Sequence, residues 1–119
     1  MRTLEFTAPW PPSLNRIWRN YRGRVVLSAE GRAYSAALAN CLPPGRVEPM
    51  TGRIVMYAWF HPPTSYGRRA WDIANREKIF CDALTKQRIW LDDSQIDELH
   101  LARSTPVTNG SVDILIQEY

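Results

Sequence analysis

At 119 residues and 13.7 kDa, the chain is the size of one domain and long enough to bury a core without staples. Hydrophobic content is an ordinary 45%, no run approaches the ~20 apolar residues of a membrane span, and Met1–Phe6 lacks the apolar stretch of a secretion signal. The expectation is therefore one soluble, cytoplasmic domain over residues 1–119 with no membrane partner. The net charge is only +3, yet 13 of the 15 basic residues are arginine, whose flat fork pairs bidentately with phosphate.

Residues 2–8 alternate, with Leu4, Phe6 and Ala8 against Thr3, Glu5 and Thr7, and predict a half-buried strand that Pro9-Trp10-Pro11-Pro12 ends. A loop rich in Asn and Arg follows, with a short strand at Arg24–Leu27. Ser28 is placed to cap a helix reaching about Leu42, and Ala33, Ala36, Ala37 and Cys41 supply its apolar stripe. The run Ile54–Phe60 is almost wholly apolar and reads as a central strand covered on both faces.

A second helix is expected from about Ile73 to Lys86 or Gln87, with Asp72 as its N-cap. Ile73, Phe80, Ala83 and Leu84 share one of its faces, while Asn75, Lys78 and Asp82 share another. Two alternating stretches, Ile96–Val107 and Val112–Glu118, flank Thr108-Asn109-Gly110-Ser111 and predict a terminal hairpin. The fold class is α/β (α+β): a single domain with one mixed or antiparallel sheet and two main helices.

Cys41 and Cys81 have no metal-ligand spacing and read as reduced core or near-core residues. His61 and His100 are isolated and read as structural. Of the tryptophans, Trp59, Trp71 and Trp90 are assigned to the core, leaving Trp10 and Trp18 freer to lie at the surface.

Chemistry concentrates in Trp71–Lys78 and in Leu91-Asp92-Asp93. Acids from two separated segments can make an oxygen-ligand site for a hard divalent cation such as Mg²⁺. A lysine beside it suits phosphoryl transfer, where negative charge builds on phosphate. Each residue also has an ordinary explanation: Asp72 as a helix cap, Asp92 and Asp93 as turn formers, Lys78 as a solvated helix lysine. Position 74, one turn before Lys78 on the same face, holds alanine where a second carboxylate would complete a D-x-D pair. Arg16, Arg19, Arg22 and Arg24 fall in a stretch without acids, and Arg68-Arg69 precede Asp72, so contact with a polyanion such as DNA is set against a merely solvated basic loop.

The order Pro9-Trp10-Pro11-Pro12-Ser13-x-Asn15-Arg16, then Arg24, then Ser28-Ala29-Glu30-Gly31-x-Ala33-Tyr34, resembles the N-terminal half of the RusA family of Holliday junction resolvases. Arg68-Arg69-x-x-Asp72-x-x-Asn75-x-x-Lys78-x-x-x-Asp82-Ala83-Leu84-Thr85-Lys86, with Trp90-Leu91-Asp92-Asp93, follows that family's signature at matching spacing.

The resemblance implies a phage- or prophage-type homodimeric, Mg²⁺-dependent endonuclease that cuts four-way DNA junctions with paired nicks. It implies that Asp72 and Asp93 are metal ligands with Asp92 beside them, and that Lys78 acts at the scissile phosphate. Asn15, Arg16, Arg19, Arg22, Arg24, Arg68, Arg69 and Asn75 are the expected DNA contacts. The family motif is D-x-D-N and this chain reads Asp72-Ile73-Ala74-Asn75, so cleavage is expected to be impaired. An inactivated enzyme and a natural variant are both open accounts. The rival readings are a branched-DNA-binding protein that cuts nothing and a small structural domain whose acids only cap a helix and a turn.

Overall fold

The computed structural model describes residues 2–13, 18–44 and 48–119. In chain order the elements are β1 (Arg2–Pro9), β2 (Trp18–Tyr21), β3 (Arg24–Leu27), α1 (Ala29–Cys41), β4 (Ile54–His61), α2 (Ala74–Lys86), β5 (Ile96–Arg103) and β6 (Ser111–Glu118), with short 3₁₀ turns at Thr64–Tyr66 and Asp93–Gln95. The main sheet runs β1-β6-β4-β5 and is mixed: β4 and β5 are parallel, and the other pairs are antiparallel. β2 and β3 form a separate hairpin. Its turn at Arg22-Gly23 has positive φ at both residues (51° and 78°), the backbone twist that a two-residue hairpin loop needs. The α+β class with two helices is as the sequence predicts.

Both helices pack on one face of the sheet. Tyr34 and Leu38 of α1 and Ile79, Phe80 and Leu84 of α2 join Met56, Ala58, Phe60, Ile114 and Ile116 in a single core cluster. Ser28 caps α1, its hydroxyl accepting from the Gly31 N–H at 3.1 Å. The stripe expected on α1 is not the buried one. Gly31, Tyr34 and Leu38 face the core, and Ala33, Ala36, Ala37 and Cys41 are exposed. Tyr34 and Leu38 remove far more apolar area from water than alanines can, and that larger gain sets the helix rotation. Cys41 turns outward with the alanines, so Cys81 alone of the two cysteines is buried.

The sheet corrects the sequence reading in two further places. The stretches Ile96–Val107 and Val112–Glu118 do not pair as a hairpin. β5 stops at Arg103, and β6 crosses to lie between β1 and β4. Local turn chemistry is present, with Gly110 at φ 76° and its N–H on the Val107 carbonyl, but burial decides the pairing. Val112, Ile114 and Ile116 of β6 are buried, whereas β5 is exposed along most of its length; the apolar strand takes the interior slot and the polar one the edge.

The second correction concerns β4, which is fully covered on one face and only partly on the other. Ile54, Met56, Ala58 and Phe60 are buried, while on the other face Val55 is buried, Tyr57 half-buried and Trp59 39% exposed. There Tyr57 stacks on Trp59 and on His100, at 6.1 Å and 4.6 Å between ring centres. Of the remaining tryptophans, Trp90 is fully buried and Trp71 half-buried. Trp10, expected nearer the surface, instead packs edge-on against Phe60, Tyr66 and Trp71. The Trp18 side chain lies outside the described residues. His61 is structural as read, lying between the Thr105 carbonyl at 2.7 Å and the Asp113 carboxylate at 2.9 Å.

Candidate functional site

The loop from Pro62 to Ile73 leads from the end of β4 to the mouth of α2. Asp72 stands two residues before the helix, and its carboxylate accepts the Ala74 N–H at 3.0 Å. One of the orphan donors of the helix start is thereby satisfied, and the carboxylate sits at the positive end of the helix dipole. Ile73 is already helical in φ and ψ, so the regular helix starts at Ala74. Asp72 is exposed and lines an open depression with Trp71, Asn75, Arg76 and Arg103.

One turn along α2, Lys78 projects into a neighbouring depression lined also by Glu77, Asp82, Asp93, Asp97 and Leu99. Its ammonium pairs with Asp82 at 3.3 Å in an i,i+4 arrangement. The hydrogen bond to Asp82 and that residue's charge, with a smaller contribution from Asp93, raise the Lys78 pKa above its ordinary value. Lys78 is a fixed cation near neutral pH, suited to holding a phosphate and unsuited to acting as a base.

The turn after α2 is built to hold Asp93 in place. The Asp92 side chain accepts from the Ser94 N–H at 3.0 Å, and Gln95 returns its side-chain oxygen to the N–H groups of Leu91 and Asp92 at 2.8 Å and 2.9 Å. This reciprocal cap consumes Asp92, whose pKa is lowered chiefly by its bonds to Ser94. Gln95 also donates to the carbonyls of Met50 and Gly52 at 2.9 Å and 3.0 Å, tying the turn to the segment that leads into β4. Asp93 itself stays exposed and faces α2.

The structure thus joins some of the expected residues and separates others. Lys78 and Asp93, from distant segments, share one depression; Asp72 and Asn75 line the next one. Among the described residues no three His, Cys, Asp or Glu side chains come together as a group able to hold a metal ion. The donor chemistry suits a hard cation, but the number falls short. Asp92 is spent on its turn, and Ala74, exposed at the first residue of α2, offers a methyl group. As they stand these residues do not complete a site for Mg²⁺.

The expected DNA contacts divide similarly. Arg22 and Arg24 are exposed on the β2–β3 hairpin, with Arg22 over the Tyr21 ring at 5.1 Å. Arg68 and Arg69 are exposed at the approach to α2, Arg69 lying 4.5 Å over Tyr66. Asn15, Arg16 and the Arg19 side chain lie outside the described residues.

Two arginines escaped the sequence reading. Arg103 donates to the Trp71 carbonyl at 2.5 Å and lies 4.2 Å over that ring, walling the Asp72 depression. It ends β5, which the hairpin reading had paired elsewhere. Arg76 is 7% exposed and lies beneath Trp10 and Tyr66; three residues after Ile73 and four before Phe80, it falls on the helix face they share, and only its charge spoke against burial.

Comparison with known proteins places the whole chain in one family. The family model described as endodeoxyribonuclease RusA matches residues 9–117. The crossover junction endodeoxyribonuclease rusA of Enterobacteria phage 82 is 37% identical over 123 residues, covering 99% of this chain and 97% of that protein. The corresponding proteins of Escherichia coli K12 and Shigella sonnei match at the same identity and coverage. With a family model spanning nearly all of the sequence and relatives matched end to end, the chain belongs to the RusA family of endodeoxyribonucleases.

Proposed function

We propose that the chain, as one domain over residues 1–119, recognises four-way (Holliday) DNA junctions as a homodimer, in DNA recombination and repair in the cytoplasm of a bacterial or phage-infected cell. Its family's reaction is paired nicking of such junctions, and in this sequence Ala74 impairs that step. The observation that carries the reading is the meeting of Lys78 and Asp93 from separate segments beside the mouth of the helix where Asp72 stands. Exposed Arg22, Arg24, Arg68 and Arg69 supply phosphate contacts that position the duplex arms without reading sequence.

Mg²⁺ would be held by Asp72, Asp93 and a carboxylate at position 74. Replacing Ala74 with aspartate sets the third donor two residues from Asp72 and one helical turn from Lys78. A junction has two-fold symmetry, so a two-fold dimer presents one such site to each of two opposed strands. The partly covered sheet face with half-buried Tyr57 and Leu115 and exposed Trp59 supports pairing of two copies.

The test is Ala74→Asp against a labelled synthetic four-way junction with Mg²⁺. We expect symmetrical nicks from the variant, and from the unaltered chain binding that weakens steeply with salt but little or no cutting. If Ala74→Asp leaves the junction intact, the nuclease reading fails and the rival, a branched-DNA-binding protein that cuts nothing, takes its place. If the unaltered chain binds a junction no better than a duplex at low salt, both readings fall.

A further inference from the structure

Beside the candidate site, between the end of β1, α1 and the start of α2, lies a further depression of about 400 Å³ lined by Trp10, Glu30, Ala33, Tyr66, Arg69 and Arg76, among others. Arg76 is nine-tenths buried there. Its Nη1 donates to the Pro11 carbonyl at 2.6 Å and its Nη2 to the Tyr66 hydroxyl at 3.2 Å. Its Nε has no partner, and among the described residues no carboxylate pairs with this guanidinium. Burying a cation without a counter-charge costs stability, and an anion entering the depression would offset that cost.

The walls are aromatic. Trp10 and Tyr66 meet edge to face at 5.9 Å, and the Tyr66 hydroxyl also accepts the Trp10 indole N–H at 3.2 Å, so two donors fix it. Arg76 lies 5.2 Å from the centre of the Trp10 ring, and Arg69 lies 4.5 Å over Tyr66 and is exposed. Two guanidinium groups beside flat apolar walls match a phosphate joined to a flat heterocycle. The space also adjoins the Asp72 depression, because Arg76 lines both and Trp71 packs on Trp10 at 5.0 Å.

We propose that this depression takes one nucleotide of the DNA turned out of its stack, with its phosphate on Arg76 and Arg69 and its base against Trp10 and Tyr66. The inference rests on the junction-binding reading above. At a crossover some bases lack a continuous stacking neighbour, so turning one out costs less than it would within a duplex. Glu30, the acid on this lining, repels phosphate and accepts from a base amino group, which orients the nucleotide with its base toward α1.

The test uses the full chain and a set of four-way junctions, each with one nucleotide near the crossover replaced by an abasic residue on both symmetry-related strands. One position is expected to weaken binding at least about fivefold, the loss of one base–aromatic stack, while the others change it less than about twofold. Ala33 is exposed and lines the depression, so Ala33→Trp fills it without touching an arginine. That variant is expected to melt like the parent, to bind the intact junction at least about fivefold more weakly, and to lose the abasic penalty.

No penalty at any position, or one that persists undiminished in Ala33→Trp, overturns the nucleotide pocket while leaving junction binding intact. Failure of the parent chain to prefer a junction over a duplex removes the functional reading and this inference with it. A free deoxynucleoside monophosphate offers the same groups. If it binds the parent by calorimetry but not Ala33→Trp, and abasic junctions bind normally, the pocket belongs to a free nucleotide and the DNA assignment is wrong.

Discussion

Gln95 offers the sharpest test of how the candidate site is held. It is 8% exposed and makes four hydrogen bonds, accepting from the Leu91 and Asp92 N–H groups and donating to the Met50 and Gly52 carbonyls. Gln95→Met keeps the length and apolar stem of the side chain and removes all four bonds. The contact with Met50 is buried, so losing it costs the desolvation of an unsatisfied carbonyl, about 2 kcal/mol. The other three are part-buried, where water substitutes, and cost about 0.5–1 kcal/mol each. Better burial of the thioether returns about 1 kcal/mol, leaving a predicted net loss of about 3 kcal/mol. For a chain of this size that lowers Tm by roughly 10 °C. Thermal unfolding by circular dichroism, with urea denaturation to check that the slope is unchanged, measures it. A fall of less than about 3 °C would refute the claim that Gln95 fastens the Asp92–Asp93 turn to the core.

Two further outcomes are expected. Gly110 has φ 76°, and a Cβ there would lie 2.9 Å from both Pro63 and Trp10; Gly110→Ala should cost about 2–4 kcal/mol from backbone strain and crowding, and a melting temperature within 2 °C of the parent would show that the loop relaxes freely. In acid, Asp97 matters because its hydrogen bonds to Arg53, at 2.6 Å and 3.0 Å, hold its pKa below the ordinary 3.8. A lowered carboxylate contributes stability that is present above its unfolded value and is lost as pH falls through its folded value. The parent should therefore lose stability below about pH 3.8 more steeply than Asp97→Asn, and identical acid profiles would exclude this contribution.

Much of the fold was legible because local patterns carry it. The alternation of Leu4, Phe6 and Ala8 marked β1, Ser28 marked the start of α1, and Ile73, Phe80, Ala83 and Leu84 marked the core face of α2. The site was legible in part. Asp72, Lys78 and Asp93 stood out by residue type and spacing, and the Asp92 turn formed as Asx residues favour. The stripe on α1 was misread because alanine and tyrosine both satisfy a helical period, and only the area each buries separates them.

The sequence by itself determined the family, since residue types at fixed spacing carry it, and it singled out Asp72, Lys78, Asp93 and the alanine at position 74 as the site to test. Tertiary structure decided what spacing cannot: which strands pair, where each acid points, and which arginine is buried. β6 left its expected partner because an apolar strand gains more from the sheet interior than a tight turn gains from closing a hairpin. Asp72 and Asp93 line separate depressions because one caps a helix while the other rides on a turn tied to the far end of the sheet. Arg76 shares the core face of α2 by spacing, but its charge reads as solvated, and packing under Trp10 and Tyr66 is what buries it.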